Sequence, residues 1–241
     1  MNRCSPIGDS IMLPQPDGFS IATLLPDGKA SPPVPVPDSG LRVGRTVGDI
    51  TFPQDARMAP SQARFTPKSG HVLMEDLSGL GMYVRLLAPY ALKDGDILLM
   101  GAQRFQFRQH TELLATETGT SHRTLESTLD TPLAELLSTK SSNSQQVSYA
   151  VHGDDISLGR KAGTYTFDDP LMSARHARVY QHGEVYFVED LGSRNGTFAL
   201  MRDQASLLPG ASVIIGSQIL IISGSCPRPA RRKSHARMIP P

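Results

Sequence analysis

The chain has 241 residues, of which 39% are hydrophobic and 20% charged, so it can form one large or two small globular domains. Its 24 Lys and Arg nearly balance its 23 Asp and Glu, which gives a formal net charge of +1. That balance argues against a protein whose main role is to coat nucleic acid or an anionic membrane. Because the only cysteines are Cys4 and Cys226, neither a disulfide framework nor a paired-cysteine metal site is expected, and we expect a cytoplasmic location.

The chain opens with an expected N-terminal extension, residues 1–17, which has no apolar run that would serve as a signal peptide. Proline is dense from Pro32 to Pro37, which predicts a stiff loop between early strands, with a polyproline ligand for an SH3-like partner as the alternative. The uncharged stretch 204–227 is long enough for a membrane span. Pro209-Gly210 and Gly216 break it into short apolar pieces, so it predicts two strands and no span.

An internal repeat organises most of the sequence. Gly44-Arg45 returns as Gly159-Arg160, a spacing of 115 residues from 45 to 160, and Gly95 and Gly101 return at the same spacing. Further matches, at a spacing of 114 residues, are Met58 with Met172 and Glu75-Asp76-Leu77 with Glu189-Asp190-Leu191. Single-residue differences in spacing are typical of loops in two duplicated domains.

The segments between these anchors are short and apolar, and turn dipeptides such as His182-Gly183 separate them. Strands of about four to six residues with turns about every 8–12 residues indicate a β-sandwich. The clearest predicted strands are Ala177–Gln181, Glu184–Glu189, Thr197–Leu200, Val213–Ile215 and Ile219–Ser223. The predicted fold class is all-β, with two β-sandwiches in tandem at residues 18–108 and 145–225.

A Ser/Thr-rich linker, residues 109–144, is expected to join the two sandwiches. Within it, Thr131-Pro132 before Leu133–Leu137 predicts a helix of one or two turns, because Thr suits the N-cap and Pro the first helical position. Linker threonines stand near acids, so a phosphorylated one is a candidate ligand for the second sandwich, although a flexible spacer is the simpler interpretation. Residues 226–241 carry five Arg and Lys and no acid, which predicts a disordered basic tail.

Four motifs follow one another in the second repeat. They are Gly159-Arg160, Ser173-Ala174-Arg175-His176, the run DLGSRNGTF at Asp190–Phe198, and the late glycines Gly210 and Gly216. Each is common alone, but four in this order within about 60 residues are specific. This stretch resembles the forkhead-associated (FHA) domain over about residues 145–225, and the first repeat resembles it more weakly over 18–108. The resemblance implies FHA-type β-sandwiches whose loops at one end bind a phosphothreonine peptide.

By this resemblance, the phosphopeptide-binding residues are Arg160, Ser173, Arg194, Asn195 and Gly196. The chemistry agrees, since phosphothreonine carries about −1.5 to −2 charges and three acceptor oxygens, which suit an Arg fork and a hydroxyl donor. Asn195 can bridge the peptide main chain, and Gly196 permits the positive φ of a tight turn.

Three further residues of the second repeat have supporting roles in the same resemblance. Arg175 is an additional candidate contact that adds positive field, while Gly159 and His176 give structural support. Ser173 and His176 also suggest a hydrolase dyad, but no glycine-framed nucleophile elbow surrounds Ser173 and no acid is clearly placed to orient His176.

The first repeat departs from the pattern. It keeps Arg45, but Ala59 and Gln62 stand where the second repeat has serine and histidine, and Ser78–Met82 contains no asparagine. Each charge-assisted hydrogen bond lost is worth about 1.5–3 kcal/mol, so Arg45 marks a degenerate site. We expect this repeat to pack, dimerise or bind protein without phosphate.

The sequence therefore predicts a non-enzymatic adaptor in Ser/Thr-kinase signalling. Its partner would be a phosphothreonine-containing protein: a kinase, a kinase substrate or the chain's own phosphorylated linker. The alternative is a phosphate-independent scaffold subunit of a larger assembly, such as a secretion apparatus, which would keep its partner after Arg160→Ala. Nucleic-acid or membrane-surface binding by the basic tail is a third, less supported class that would weaken with salt. Neither a metal nor another cofactor is expected, because the sequence shows no metal cluster, phosphate-binding glycine loop or credible triad.

Overall fold

The structure, a computed structural model, describes residues 18–110, 133–138, 146–152 and 155–224. Within these ranges the chain is all-β, with twenty strands and no helix. The first ten are β1 Phe19–Leu24, β2 Val34–Pro35, β3 Leu41–Gly44, β4 Ile50–Thr51, β5 Ala63–Lys68, β6 His71–Asp76, β7 Met82–Arg85, β8 Tyr90–Ala91, β9 Ile97–Met100 and β10 Gln103–Gln109. The others are β11 Ala134–Ser138, β12 Ser148–Ala150, β13 Asp155–Gly159, β14 Tyr165–Thr166, β15 Ala177–His182, β16 Val185–Asp190, β17 Thr197–Met201, β18 Gln204–Leu207, β19 Ser212–Ile215 and β20 Gln218–Gly224.

The five strands that the sequence predicts most clearly are confirmed as β15, β16, β17, β19 and β20. The proline-dense segment holds the two-residue strand β2, which pairs with β1. The expected N-terminal extension, most of the linker with its threonines, and the basic tail lie outside the described residues. Among the residues that are described, no helix is long and apolar enough to cross a membrane.

The strands form two compact units that differ from the predicted contiguous sandwiches at 18–108 and 145–225. Unit 1 joins Met1–Leu80 to Asp203–Pro241, and unit 2 is the continuous segment Gly81–Arg202. Each unit therefore combines strands from both repeats: the last strands of the second repeat complete unit 1, and the last strands of the first repeat complete unit 2.

Unit 1 has two sheets. One has the strand order β19-β20-β1-β2, in which β1 and β20 pair antiparallel along their length, from Phe19 opposite Gly224 to Leu24 opposite Ile219. The other has the order β18-β6-β5-β3-β4, with β18 of the second repeat paired to β6 of the first. Alternate apolar side chains on both sheets are fully buried, among them Ile21, Val43, Phe65, Met74, Val213 and Ile222.

Unit 2 also has two sheets. One has the order β12-β11-β10-β9-β17-β7, and the other β14-β13-β15-β16-β8. Its core draws on both sheets and both repeats, with Leu98, Met100, Phe105 and Phe107 from the first repeat and Leu158, Val179 and Val188 from the second. Burial of this apolar surface is the main force that holds strands β7 to β10 of the first repeat in unit 2.

An aspartate at the same position of each repeat binds a turn between the last two strands of the other repeat. In unit 2, Asp169 of the second repeat accepts a hydrogen bond of 2.8 Å from the Ala102 N–H, at the β9–β10 turn of the first repeat. In unit 1, Asp55 of the first repeat accepts one of 2.7 Å from the Ser217 N–H, at the matching β19–β20 turn of the second. The last strands of a repeat could complete their own repeat's sandwich or the other's, and the same aspartate-to-turn contact would form in both cases. The sequence pattern therefore does not distinguish the two arrangements.

The helix predicted at Leu133–Leu137 is wrong, because these residues belong to strand β11 and the turn before it. Ala134, Leu136 and Ser138 are buried while Glu135 and Leu137 are half-buried, which is the alternation of a strand. β11 pairs antiparallel with β10 on one side and β12 on the other. The hydrogen bonds and burial that these neighbours offer override the local preference for a helix start.

Candidate functional site

Three loops of unit 2 carry the predicted site residues of the second repeat. The loop after β13 begins at Arg160, the loop before β15 holds Ser173 and His176, and the loop before β17 holds Arg194 and Asn195. Gly159 is the last residue of β13, and a Cβ there would lie 2.6 Å from the carbonyl oxygen of Ala162. Only glycine lets the backbone of the following loop come this close to the strand.

Hydrogen bonds connect the three loops. The Arg160 N–H donates to the Ser173 carbonyl oxygen at 2.9 Å, and the Arg194 N–H donates to Ser173 Oγ at 2.9 Å. Ser173 thus fixes the start of one loop and the middle of another. Its own O–H makes no hydrogen bond with a described residue and can donate to a ligand.

His176 joins two of these loops from a buried position. The Ser173 N–H donates to His176 Nδ1 at 3.1 Å, so this nitrogen must carry a lone pair and the proton of the neutral ring lies on Nε2. Nε2 then donates to the Gly196 carbonyl oxygen at 3.1 Å. Burial lowers the pKa of His176 below its ordinary value, which favours the neutral ring that this geometry requires. The structure therefore places His176 as a support between the loops.

Asn195, which is exposed, and Gly196, which is buried, form the turn next to this support. Asn195 Nδ2 donates to the Leu171 carbonyl oxygen at 2.6 Å, while Oδ1 makes no hydrogen bond with a described residue and is available to accept one from a ligand. Gly196 has φ of +85°, a conformation that L side chains rarely adopt. A Cβ at Gly196 would also lie 2.5 Å from Nε of Arg85, so a larger residue here would displace that flexible side chain.

The same three loops carry three exposed cations. The guanidinium groups of Arg160, Arg175 and Arg194 make no ion pair or hydrogen bond with any residue in the described ranges. Unpaired guanidinium groups with five donors each suit a multiply charged oxyanion. The same part of the chain contains no group of three or more His, Cys, Asp or Glu that could hold a metal ion.

Sequence reasoning missed the polar network that shapes the loop before β17. Asp190 Oδ1 accepts hydrogen bonds from Ser193 Oγ at 2.6 Å and Thr197 Oγ1 at 2.8 Å, and Ser193 Oγ accepts one from the Gly196 N–H at 2.9 Å. The spacing of Asp and Ser three residues apart is typical of side chains that replace backbone partners in a turn, and was the available signal.

Asp169 is a second missed support, beneath the loop before β15. Burial by itself raises the pKa of Asp169, but hydrogen bonds from Gln103 and from the N–H groups of Leu171 and Ala102 outweigh it, so the pKa is lowered. No motif marks this residue, because two of its partners, Ala102 and Gln103, come from the first repeat.

The equivalent loops of unit 1 keep the backbone arrangement without the ligand groups. The Arg45 N–H donates to the Ala59 carbonyl oxygen at 2.8 Å, as Arg160 does to Ser173. The Ala59 N–H donates to Gln62 Oε1 at 2.9 Å, so a buried glutamine accepts the hydrogen bond that histidine accepts in unit 2. Leu80, which stands where the second repeat has Asn195, is 58% exposed.

Comparison with known proteins bears on this geometry. Residues 156–217 match the FHA domain family. The FHA match includes Arg160, Ser173, His176 and Asn195, and it extends across both units, from β13 in unit 2 to the β19–β20 turn in unit 1.

Three relatives and one solved structure carry the same domain name. The chain is 35% identical over 80 residues to the FHA domain-containing protein FhaB of Mycolicibacterium smegmatis, an alignment covering 30% of this chain and 50% of that protein. It is 40% identical over 58 residues to FhaB from two strains of Mycobacterium tuberculosis, covering 24% of this chain and 36% of each. The chain thus spans half or less of these relatives. The FHA domain of the CT664 protein from Chlamydia trachomatis is 18% identical, with a TM-score of 0.23, over 36% of this chain and 92% of that one.

Proposed function

We propose that the chain is a non-enzymatic adaptor that binds phosphothreonine peptides at the FHA loops of unit 2, in Ser/Thr-kinase signalling. The observation that carries this proposal is the hydrogen-bonded arrangement in which Ser173 links the backbones of Arg160 and Arg194. That arrangement joins the loops that carry the Ser173 hydroxyl, the Asn195 amide and the guanidinium groups, and these guanidinium groups have no partner among the described residues. The match of residues 156–217 to the FHA family supports the same function.

Each group has a role in this proposal. The guanidinium of Arg160 pairs with phosphate oxygens, and the Ser173 hydroxyl donates to a third. Arg194 and Arg175 add positive field that favours a dianionic ligand. Asn195 Oδ1 accepts from a peptide N–H beside the phosphothreonine, while His176 and Gly159 hold the loops and touch no ligand.

The test is calorimetric titration of the full chain with a degenerate phosphothreonine peptide pool. The full chain is needed because unit 2 contains strands β7 to β10 of the first repeat. We expect a dissociation constant of about micromolar order for phosphothreonine, and no binding of the phosphoserine or unphosphorylated pools. Arg160→Ala should weaken binding at least about tenfold, since one charge-assisted hydrogen bond is worth that much.

Arg45→Ala is the matched control, because Arg45 occupies the equivalent position in unit 1 and makes the equivalent backbone hydrogen bond. It should leave phosphopeptide affinity unchanged. Equal binding of phosphorylated and unphosphorylated pools, or full binding by the Arg160→Ala protein, would refute the adaptor and favour the phosphate-independent scaffold.

For unit 1 we propose binding of protein without phosphate. Its loops present exposed apolar side chains at Val47, Leu77 and Leu80, which are 52%, 47% and 58% exposed. Apolar side chains beside the degenerate site suit a protein surface and not a phosphate. Leu80→Asp should abolish capture of such a partner while leaving phosphopeptide binding intact, and loss of both together would contradict separate roles.

A further inference from the structure

One residue near the proposed phosphopeptide site comes from the first repeat and belongs to none of the motifs. Arg85 is the last residue of β7, which pairs antiparallel with β17 so that Arg85 lies opposite Phe198. Its side chain extends toward the Asn195-Gly196 turn: a Cβ at Gly196 would lie 2.5 Å from Arg85 Nε and 3.0 Å from Cζ. The exchange of strands between repeats therefore brings a cation against this turn.

The guanidinium of Arg85 has no partner in the described parts of the chain. It makes neither an ion pair nor a hydrogen bond there, although the residue is only half-exposed. Arg85 also acts on His176, the residue that supports the loops. Burial is the main cause of the lowered pKa of His176, and the positive charge of Arg85 lowers it further. Because solvent still reaches this unpaired cation, an anionic group of a ligand can reach it too and form a charge-assisted hydrogen bond.

The matching turn of the first repeat, at Gly81, can be compared with the turn at Gly196. Gly81 is equivalent to Gly196, and the side chain that packs against it is Leu200, the equivalent of Arg85: a Cβ at Gly81 would lie 2.8 Å from Leu200 Cδ1. The packing is thus alike at both turns and the chemistry differs. The turn with Asn195 has the guanidinium atoms Nε and Cζ of an arginine nearest to the glycine, whereas the turn in which Leu80 replaces asparagine has Leu200 Cδ1 nearest, with the Cγ methylene of Arg202 at 3.2 Å.

We propose that Arg85 is a ligand-binding residue of the phosphopeptide site, donated by the first repeat to the second. It binds an anionic oxygen of the bound peptide next to the Asn195-Gly196 turn, from the phosphate or from an acidic side chain that flanks it. This inference rests on the proposed function of unit 2. It adds to that function a composite site, for which both repeats are required.

The test compares Arg85→Leu with wild type by calorimetric titration of the full chain at two salt concentrations. Arg85→Leu installs the residue found at the equivalent position, and we expect about tenfold weaker binding together with a shallower dependence on salt. Two phosphothreonine peptides separate the sources of charge. A loss with a neutral-flanked peptide assigns the phosphate, and a loss confined to an acidic-flanked peptide assigns the carboxylate.

Two further variants guard against a purely structural effect. Arg85→Lys keeps the charge and should retain most of the affinity, while Arg85→Gln keeps a polar side chain and should lose as much as leucine. Leu200→Met is the matched control, because it disturbs the same kind of packing on the equivalent glycine without changing charge. Melting temperatures of all variants within a few degrees of wild type are the condition for reading the affinities.

The outcomes separate this inference from the function on which it rests. If wild type binds phosphopeptide, Arg160→Ala does not, and both Arg85→Leu and Arg85→Gln bind with wild-type affinity and salt dependence, the inference is overturned and the function stands. If wild type binds no phosphopeptide, the proposed function fails and this inference fails with it.

Discussion

His176 and Gln62 solve one structural problem with different chemistry. Each is buried, and each accepts a hydrogen bond from the backbone N–H three residues earlier, at Ser173 and Ala59 respectively. Histidine accepts only while the ring nitrogen is unprotonated, whereas the glutamine amide oxygen accepts at every pH. The two units therefore differ in how their loops respond to acid.

This difference predicts that His176→Gln reduces the acid sensitivity of unit 2. Burial holds the folded pKa of His176 below its unfolded value of about 6.5, so the unfolded chain takes up the proton more readily. The contribution to the free energy of unfolding is present above about pH 6.5 and is lost as the pH falls. In His176→Gln that part of the pH dependence is absent, while stability at neutral pH changes by about 1 kcal/mol or less.

Urea unfolding of both proteins at pH 7.5 and pH 5.5 measures this effect. The control is His182→Gln, the same substitution at an exposed histidine, where no buried hydrogen bond is lost. A wild-type protein and a His176→Gln variant that lose equal stability between the two pH values would contradict the assigned role of the ring.

Strand β11 shows how a neighbour decides the conformation of a short segment. As a helix, Leu133–Leu137 would place Leu133, Leu136 and Leu137 on one face. As a strand, it buries Leu136 fully and leaves Leu137 half-buried on the opposite face. What the local sequence lacks is the edge of β10, which supplies the hydrogen-bonding partners.

Two leucine substitutions discriminate between these conformations. Leu136→Ala should lower the free energy of unfolding by about 2–5 kcal/mol, because it removes a fully buried side chain from the core. Leu137→Ala, the matched change on the other face, should cost clearly less. Chemical denaturation gives both values, and similar large losses at the two positions would favour the helix.

Across the full chain, the main result is that unit 1 is discontinuous and unit 2 lies within it along the sequence. Pairings such as β1 with β20 and β9 with β17 join segments on opposite sides of the linker. Neither repeat can supply all the strands of either unit. The repeat is a property of the sequence, and the units are a property of the fold.

Cutting the chain tests this organisation. A protease site introduced after Thr120, in the linker, should allow complete cleavage without separation of the two pieces. They should elute together in gel filtration and separate only in denaturant, because each unit is held by apolar burial between the two pieces. Two pieces that separate under native conditions would support independent sandwiches at 18–108 and 145–225.

The sequence was sufficient for the features that depend on local pattern. Alternation and turn dipeptides located β15 to β17, β19 and β20, and ordered motifs indicated the loops with Arg160, Ser173 and Asn195. It was not sufficient where two solutions share the same contacts. The aspartates Asp55 and Asp169 bind equivalent turns, so closure within a repeat and between repeats has the same pattern. Arg85 was missed because the contact of its side chain with the Asn195-Gly196 turn depends on the pairing of β7 with β17, which joins the two repeats.

The discontinuity of unit 1 also sets an order of events during protein synthesis. Residues 18–80 are made first, yet the strands that complete their sandwich end at Gly224. Unit 2 is complete once Arg202 has been made, so the part of the chain that is made earliest is finished last. At about 5–20 residues per second, the wait from Leu80 to Gly224 is on the order of ten seconds. During that time the edges of β1 and β6 that later pair with β20 and β18 are unpaired, and exposed strand edges of this kind are prone to aggregation.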